Sequence, residues 1–377
     1  MKIVVITSRY PSENKPYNHM FVHMRCLEML KQNSDVTVYV PAKVSNSYTY
    51  QGVKVQMMAT TEIIKQLDDE QAVIYLHLLN IYPFSKLNGW SIYKHIMVHN
   101  LPTLMYVHGN EVQKYTARWY EFNYRISDVL KWIKKDCFVI PKMKGFFKIQ
   151  KRNHPFLFPS LWMKEEAERN LNLTIDNYKI IPNGIDTSFF EFHNLIENRF
   201  KILTIRSLSS KVYDIEKTIK VLDNLPEKYT LDIYGEGVYK HQYQHLITSK
   251  GLKNRVKIIS RFLEREEMKT LFLNYGVFIS TTRMDSQGVT MMEASASGLL
   301  VVTTDNSSKN EFILDSVNGV LGNSAEEIAG KIIAITSNKN RFEEVVVKGR
   351  KSMEVIDISK TVKKEIELLK TESLNHA

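Results

Sequence analysis

Short, nearly continuous apolar runs alternate along this chain with longer stretches in which apolar residues recur at helical spacing. Residues 4–7, 36–40, 73–77 and 103–108 read as buried strands, and 21–31 as an amphipathic helix. Residues 138–141 and 156–159 are shorter strand candidates, and 179–181 closes this half. Strands that are apolar throughout, rather than on alternate positions, are covered on both faces. The pattern therefore predicts a mostly parallel sheet with helices on either side. Residues 182–200 break it, opening with the turn-forming Pro182-Asn183-Gly184. Alternation then restarts, with strands at 201–207, 230–235, 256–260, 277–281 and 300–304 separated by helices at 213–224, 239–250, 264–274 and 288–297. From 324 to 377 the pattern is helical and charged, without strands. The reading is α/β throughout: a first domain over 1–181, a linker over 182–200, a second domain over 201–355 and a last helical segment over 356–377.

Length agrees, because 377 residues exceed one ordinary domain. Cys26 and Cys137 lie in apolar segments without metal-like spacing and read as reduced core residues of a cytoplasmic protein. The stretch 1–7 reads as a first buried strand, too short for the apolar part of a signal peptide. No apolar run approaches the ~20 residues needed to cross a bilayer.

Charge adds a partner. The net charge is +10, and residues 101–152 alone carry 11 basic against 4 acidic side chains. A localised basic surface suits an anionic partner. No nucleic-acid-binding motif is recognisable, so nucleic acid is not expected; an anionic membrane surface remains. Within the basic stretch, apolar residues at 126, 129, 130 and 133 share one helical face, with Lys131, Lys134 and Lys135 off it and Trp132 near the boundary. Such a helix either packs on the sheet with solvated lysines or lies on an anionic membrane.

The candidate chemistry sits between the strands at 277–281 and 300–304. Asp285-Ser286-Gln287-Gly288 leads into Val289-Thr290-Met291-Met292-Glu293 and then Ala294-Ser295-Ala296-Ser297-Gly298. Two carboxylates thus bracket the point where a strand ends and a helix begins, which is where open α/β sheets bind ligands. The free amides of the helix start favour an anion such as phosphate. Earlier, Arg206 ends a strand and Lys211 follows five residues later. Two cations there can hold a diphosphate and stabilise charge on a departing nucleotide, which removes the need for a metal. No Asp-x-Asp pair of the metal-binding sort is present.

These features resemble the retaining glycosyltransferases of the GT-B fold, glycosyltransferase family 4. In that family Glu-x-Phe-Gly precedes Glu-Ala-x-Ala-x-Gly; here Asp285 stands for the first Glu and Gln287 for the Phe. Arg206 and Lys211 match the cations of its Gly-Arg-x-x-x-x-Lys-Gly pattern, and Pro182-Asn183-Gly184-Ile185-Asp186 resembles its interdomain linker. His108-Gly109-Asn110-Glu111 is similar to a first-domain turn at the donor sugar, with His77 a weaker cleft-lining candidate. Asn18 and His19 stand where many members carry glycines in a loop over diphosphate and acceptor. Gly235 belongs to a second-domain Gly-x-Gly turn, and Phe262-Leu263 falls where the family's main chain meets the base.

The resemblance implies two Rossmann-like domains facing across a cleft, with the last helix crossing back to the first. It implies a metal-independent hexosyltransferase without a cofactor, using a UDP- or GDP-sugar. His108, Arg206, Lys211 and Asp285 would act at the reacting centre. Glu293 would hold the ribose, and Gln287, Gly288, Val289, Glu111, Asn18, His19, Gly235, Phe262 and Leu263 would complete the substrate site. The acceptor would be a lipid-linked saccharide in bacterial cell-surface polysaccharide synthesis, reached by a cytoplasmic protein peripheral to the inner face of the membrane. A GT-B-fold sugar-nucleotide epimerase and a non-catalytic sugar-nucleotide-binding protein are the alternatives, and donor turnover with and without acceptor separates them.

Overall fold

The computed structural model describes residues 1–375 except Glu70, Pro83, Phe84 and Lys86. The chain forms two compact units. One comprises Met1–Gly184 with Ile358–Ala377, the other Ile185–Asp357.

The first unit holds strands β1 (Lys2–Ile6), β2 (Asp35–Pro41), β3 (Asn46–Tyr50), β4 (Val53–Met58), β5 (Ala72–His77), β6 (Thr103–Tyr106), β7 (Phe156–Phe158) and β8 (Tyr178–Ile180). Their order is β3-β4-β2-β1-β5-β6-β7-β8. All neighbours are parallel except β3, which runs antiparallel to β4. Alternate residues of β1 serve opposite cores, as strand geometry requires. Val4 and Ile6 join Ile92, Met143 and Phe147 on one face. Ile3 and Val5 join Val22, Cys26 and Met29 of the helix Met20–Lys31 on the other. The final helix, Ile358–Leu374, adds Val362, Ile366 and Leu369 to that second core.

Three expectations fail in this unit. Residues 138–141 are not a strand: Ile133–Val139 is π-helical and runs into the helix Ile140–Gln150. The apolar run 138–140 continues a helical pattern on both sides, with Pro141 where the π-helical turn gives way to the α-helix. Cys137 is exposed rather than in the core, whereas Cys26 is buried. The edge ribbon β3-β4 is absent from the apolar pattern because β3 is largely exposed and polar.

The second unit holds β9 (Lys201–Ile205), β10 (Thr230–Tyr234), β11 (Val256–Ile259), β12 (Val277–Ser280), β13 (Leu300–Thr304) and β14 (Val320–Gly322). All are parallel, in the order β11-β10-β9-β12-β13-β14. This is the doubly wound Rossmann order, whose reversal falls between β9 and β12. The carboxyl ends of those two strands are therefore the place for a ligand. Among the described residues no helix is long and apolar enough to cross a membrane.

Candidate active site

In the second unit Arg206 leaves the end of β9 and meets β12 directly. Its Nη2 donates to Ser280 Oγ at 2.9 Å and its Nη1 to the Ile205 carbonyl at 3.2 Å. Tyr213 and Phe278 lie 5.8 and 5.9 Å from the guanidinium carbon, and the buried Nε is left without a partner. Gly235 makes this placement possible. A Cβ there would stand 1.9 Å from the Arg206 carbonyl oxygen, so only glycine lets the two backbones approach. Gly237 approaches Leu208 and Ser209 in the same way. Lys211 opens the 3-10 turn Lys211–Tyr213, with its ammonium 5.8 Å from the Tyr239 ring.

The loop after β12 is stitched to that turn. Arg283 N donates to the Val212 carbonyl at 2.7 Å, and Thr281 Oγ1 to the Asp214 carbonyl at 2.9 Å. Asp285 then folds on itself: Oδ1 accepts from Gln287 N at 3.1 Å. Gly288, at φ 81°, turns the chain into the helix Val289–Ala296, whose start has no side-chain cap. Its first-turn amides have no intrahelical acceptor and face the strand ends with the positive end of the helix dipole. Gln287 does not present its side chain as a ligand contact. It is fully buried and Nε2 points at Met292 Sδ, 3.3 Å away.

Glu293 lies one turn into this helix, and burial pushes its carboxyl up to about 7 against the attraction of Arg265 and Arg206. Arg265 is held by Asp186 at 3.0 Å and stacks 3.9 Å from the Phe189 ring centre. The Asp of the linker motif thus orients an arginine whose charge acts on Glu293. Phe262 is exposed while Leu263 is buried, which leaves Leu263 only its main chain to offer a ligand.

Lys309 had no signal in the sequence. It follows β13 in an ordinary polar loop, yet it is 1% exposed. Its ammonium donates to the Thr282 carbonyl and, at 2.5 Å, to Thr304 Oγ1. Burial lowers its pKa to about 7, with the Asp285 carboxylate pulling the other way. Ser307 and Ser308 precede it and hold the Asp285 main chain at 3.1 and 3.0 Å. The loop after β13 therefore fixes the loop that carries Asp285.

In the first unit three histidines gather at the carboxyl ends of β1, β5 and β6. His77 Nδ1 and His108 Nε2 are 2.9 Å apart, and His19 Nδ1 is 2.9 Å from Thr7 Oγ1. Burial holds all three below the ordinary imidazole range, His19 at about 4, so they are neutral near pH 7. His19, not Asn18, takes the left-handed conformation that the missing glycine would supply, with φ 49°. Glu111 is placed differently from the expectation. Its buried carboxylate accepts from Leu78 N at 3.2 Å and Gly109 N at 3.0 Å, so it braces the turn that bears His108. Among the described residues no group of three His, Cys, Asp or Glu side chains is placed to hold a metal ion.

Residues 186–352 match the family of glycosyl transferases group 1. That match spans nearly all of the second unit, Ile185–Asp357. A curated relative, the GtfA subunit of a UDP-N-acetylglucosamine–peptide N-acetylglucosaminyltransferase from Streptococcus agalactiae, is 30% identical over 126 residues, 32% of this chain and 24% of the relative. An alpha-monoglucosyldiacylglycerol synthase from Streptococcus pneumoniae is 29% identical over 173 residues, 41% of this chain and 38% of that one. The matched stretch thus spans well under half the length of either relative. The crystal structure of Anabaena HepE in complex with UDP aligns with a TM-score of 0.74 at 14% identity, covering 98% of this chain and 100% of that one. That likeness is one of fold, and it extends beyond the family match to both GT-B-type parallel-sheet units.

Proposed function

We propose that this chain is a retaining, metal-independent hexosyltransferase that moves a sugar from a UDP-sugar to a hydroxyl acceptor. The observation that carries the reading is the convergence of Arg206, the uncapped helix start at Gly288 and Glu293 where the second sheet reverses direction. The UDP bound to HepE and the UDP-N-acetylglucosamine in the GtfA relative's name favour a uridine donor.

In this reading Glu293 accepts hydrogen bonds from the ribose hydroxyls and the main chain at Phe262 and Leu263 meets the base. Arg206, Lys211 and the helix amides take the diphosphate, whose negative charge grows as the glycosidic bond breaks. Two fixed side-chain cations supply what a divalent ion would otherwise supply. Asp285 holds the sugar. The leaving phosphate accepts the proton of the incoming hydroxyl on the face it departs from, so configuration is kept without a protein nucleophile.

The acceptor is proposed to be a lipid-linked saccharide, presented to a cytoplasmic enzyme at an anionic membrane surface during bacterial cell-surface polysaccharide synthesis. The diacylglycerol synthase relative supports an amphiphilic acceptor. The test is turnover of UDP- and GDP-sugars, with and without EDTA. Release of UDP from at least one UDP-sugar, undiminished by EDTA, is expected. No turnover of any donor refutes the transferase reading, and loss in EDTA with rescue by Mn²⁺ or Mg²⁺ refutes the metal-independent mechanism.

A further inference from the structure

Two adjoining cavities open beside the carboxyl ends of β1 and β2 in the first unit, and their chemistry differs. One, about 770 Å³, is lined by hydroxyls, amides and rings, among them Ser12, Asn18, Tyr48 and Tyr50, together with the charged side chains of Glu13 and Lys15. The other, about 750 Å³, has an apolar wall of Leu87, Leu130, Ile133 and Phe138. Ser8, Arg9, Pro41, Lys43 and Leu87 line both, so two cations stand at the divide. Lys134 adds a third on the apolar side, its ammonium 4.9 Å from the Tyr82 ring centre. Among the described residues none of Arg9, Lys43 and Lys134 is in an ion pair, whereas Lys131, one turn from Lys134, is paired with Asp128.

The apolar wall continues outward. Leu130, Ile133 and Phe138 are lining residues that are also exposed at 62%, 38% and 45%. Tyr124 and Ile126, on the same segment, are exposed at 88% and 82%. Apolar exposure of this extent on one segment marks a surface with an apolar partner. A glycan alone would use only the polar cavity, and a membrane surface alone would use only the outer segment. The order polar cavity, cations, apolar wall, exposed apolar segment matches one kind of molecule from end to end.

We propose that these cavities are the subsite for a membrane-embedded amphiphile whose glycan and apolar chain are joined through phosphate. The glycan lies among Asn18, Tyr48 and Tyr50. The phosphate sits between Arg9 and Lys43, within reach of Lys134. The chain leaves along Leu130, Ile133 and Phe138 towards the bilayer. This rests on the transferase reading for its role as acceptor, and it adds the phosphate and the placement of each part.

The probe is dodecyl phosphate, titrated calorimetrically below its micelle concentration against inorganic phosphate and dodecyl maltoside. Dodecyl phosphate should bind about tenfold or more tightly than either, since only it engages both the cations and the apolar wall. Arg9→Ser with Lys43→Ser should abolish its advantage over the neutral maltoside. Leu130→Ser with Phe138→Ser should abolish its advantage over inorganic phosphate. All four side chains lie at the surface of the unit, and melting curves check that the variants fold. Equal binding of maltoside and dodecyl phosphate overturns the phosphate site. Equal binding of inorganic and dodecyl phosphate overturns the chain path. Binding insensitive to both pairs places the amphiphile elsewhere and overturns the proposal. UDP-sugar turnover by the wild type, measured in parallel, tests the transferase reading separately. If turnover fails while the discrimination holds, the amphiphile site stands without its role as acceptor.

Discussion

Glu293 carries a pH signature that links nucleotide binding to stability. Its carboxyl is lifted from 4.5 to about 7, chiefly by burial. A carboxylate accepts from two ribose hydroxyls better than a protonated acid does. UDP affinity should therefore rise between about pH 6 and pH 8, with proton release on binding below about pH 7. Glu293→Gln should bind UDP more weakly and without that slope, as calorimetry in two buffers of different ionisation enthalpy would reveal. The stability sign is opposite. A folded-state pKa above the unfolded value favours the fold at low pH, and that advantage is lost as pH rises from about 4.5 through 7. The melting temperature of the glutamine variant relative to wild type should be higher at about pH 8 than at about pH 5. A parallel shift at both values would mean that Glu293 is not titrating in this range.

Arg206 separates catalysis from folding. Its guanidinium is anchored to Ser280 and Ile205, but its Nε is buried without a partner. Arg206→Ala should lower kcat on a UDP-sugar by about 100-fold, because a preorganised charge acts mainly on the leaving diphosphate. The melting temperature should fall far less in proportion. Full turnover would remove Arg206 from the reaction.

At the scale of elements, the segment from Thr116 to Val139 stands out. Its helix Ile126–Trp132 does not cover the sheet with the predicted face: Ile126 and Leu130 are among its most exposed residues. Trp119 stacks on Phe122, and Trp132 meets Trp119 edge-on, so the aromatics form one cluster. Lys135 is withdrawn from the surface. It donates to the Asn110 carbonyl, and burial lowers its pKa to about 8. The exposed cations are instead Arg125, Lys131 and Lys134. Replacing these three by Ser should weaken co-sedimentation with anionic liposomes by roughly two orders of magnitude, each cation contributing about 1 kcal/mol. High salt should weaken the wild type in the same direction. Equal pelleting of wild type and variant would assign the basic excess to another purpose.

For the molecule as a whole, the first unit is completed by a helix that follows the entire second unit in sequence. Glu365 of that helix accepts from Arg25 Nε at 3.1 Å, with both side chains buried. Arg25 also donates to Asn183 Oδ1 at 2.8 Å and lies 4.2 Å from the Tyr106 ring centre. One guanidinium thus ties the helix Met20–Lys31 to the last residues before the chain leaves the unit and to the helix with which it returns. Glu365→Ala should cost about 3–5 kcal/mol of stability by stranding the buried cation. Replacing Arg25 and Glu365 together by Met and Leu should recover most of that loss in urea unfolding. A double variant as unstable as Glu365→Ala would mean that the pair does more than neutralise itself.

Much of this was legible from order along the chain. Strands β9 to β13 of the second unit lie within a residue or two of their predicted ends, because a strand buried on both faces is a continuous apolar run, whereas the three-residue β14 was not predicted. The spacing from Asp285 to Glu293 located the turn into a helix, since Gly288 and the apolar residues after it are local signals. What stayed hidden depends on which partners the folded chain brings to each side chain. Gln287 and Glu111 turn inward because Met292 on one side, and the amides of Leu78 and Gly109 on the other, complete their hydrogen bonds. Lys309 is buried because β12 and β13 pair in a register that brings Thr282 and Thr304 to its ammonium. The exposed face of Ile126–Trp132 could not be told from a packed one, as both have the same period. Local sequence determines which element forms and where it ends, through backbone preference and apolar spacing. Tertiary pairing alone decides which side chains lose water and which charges meet, and those two quantities set the chemistry of the site.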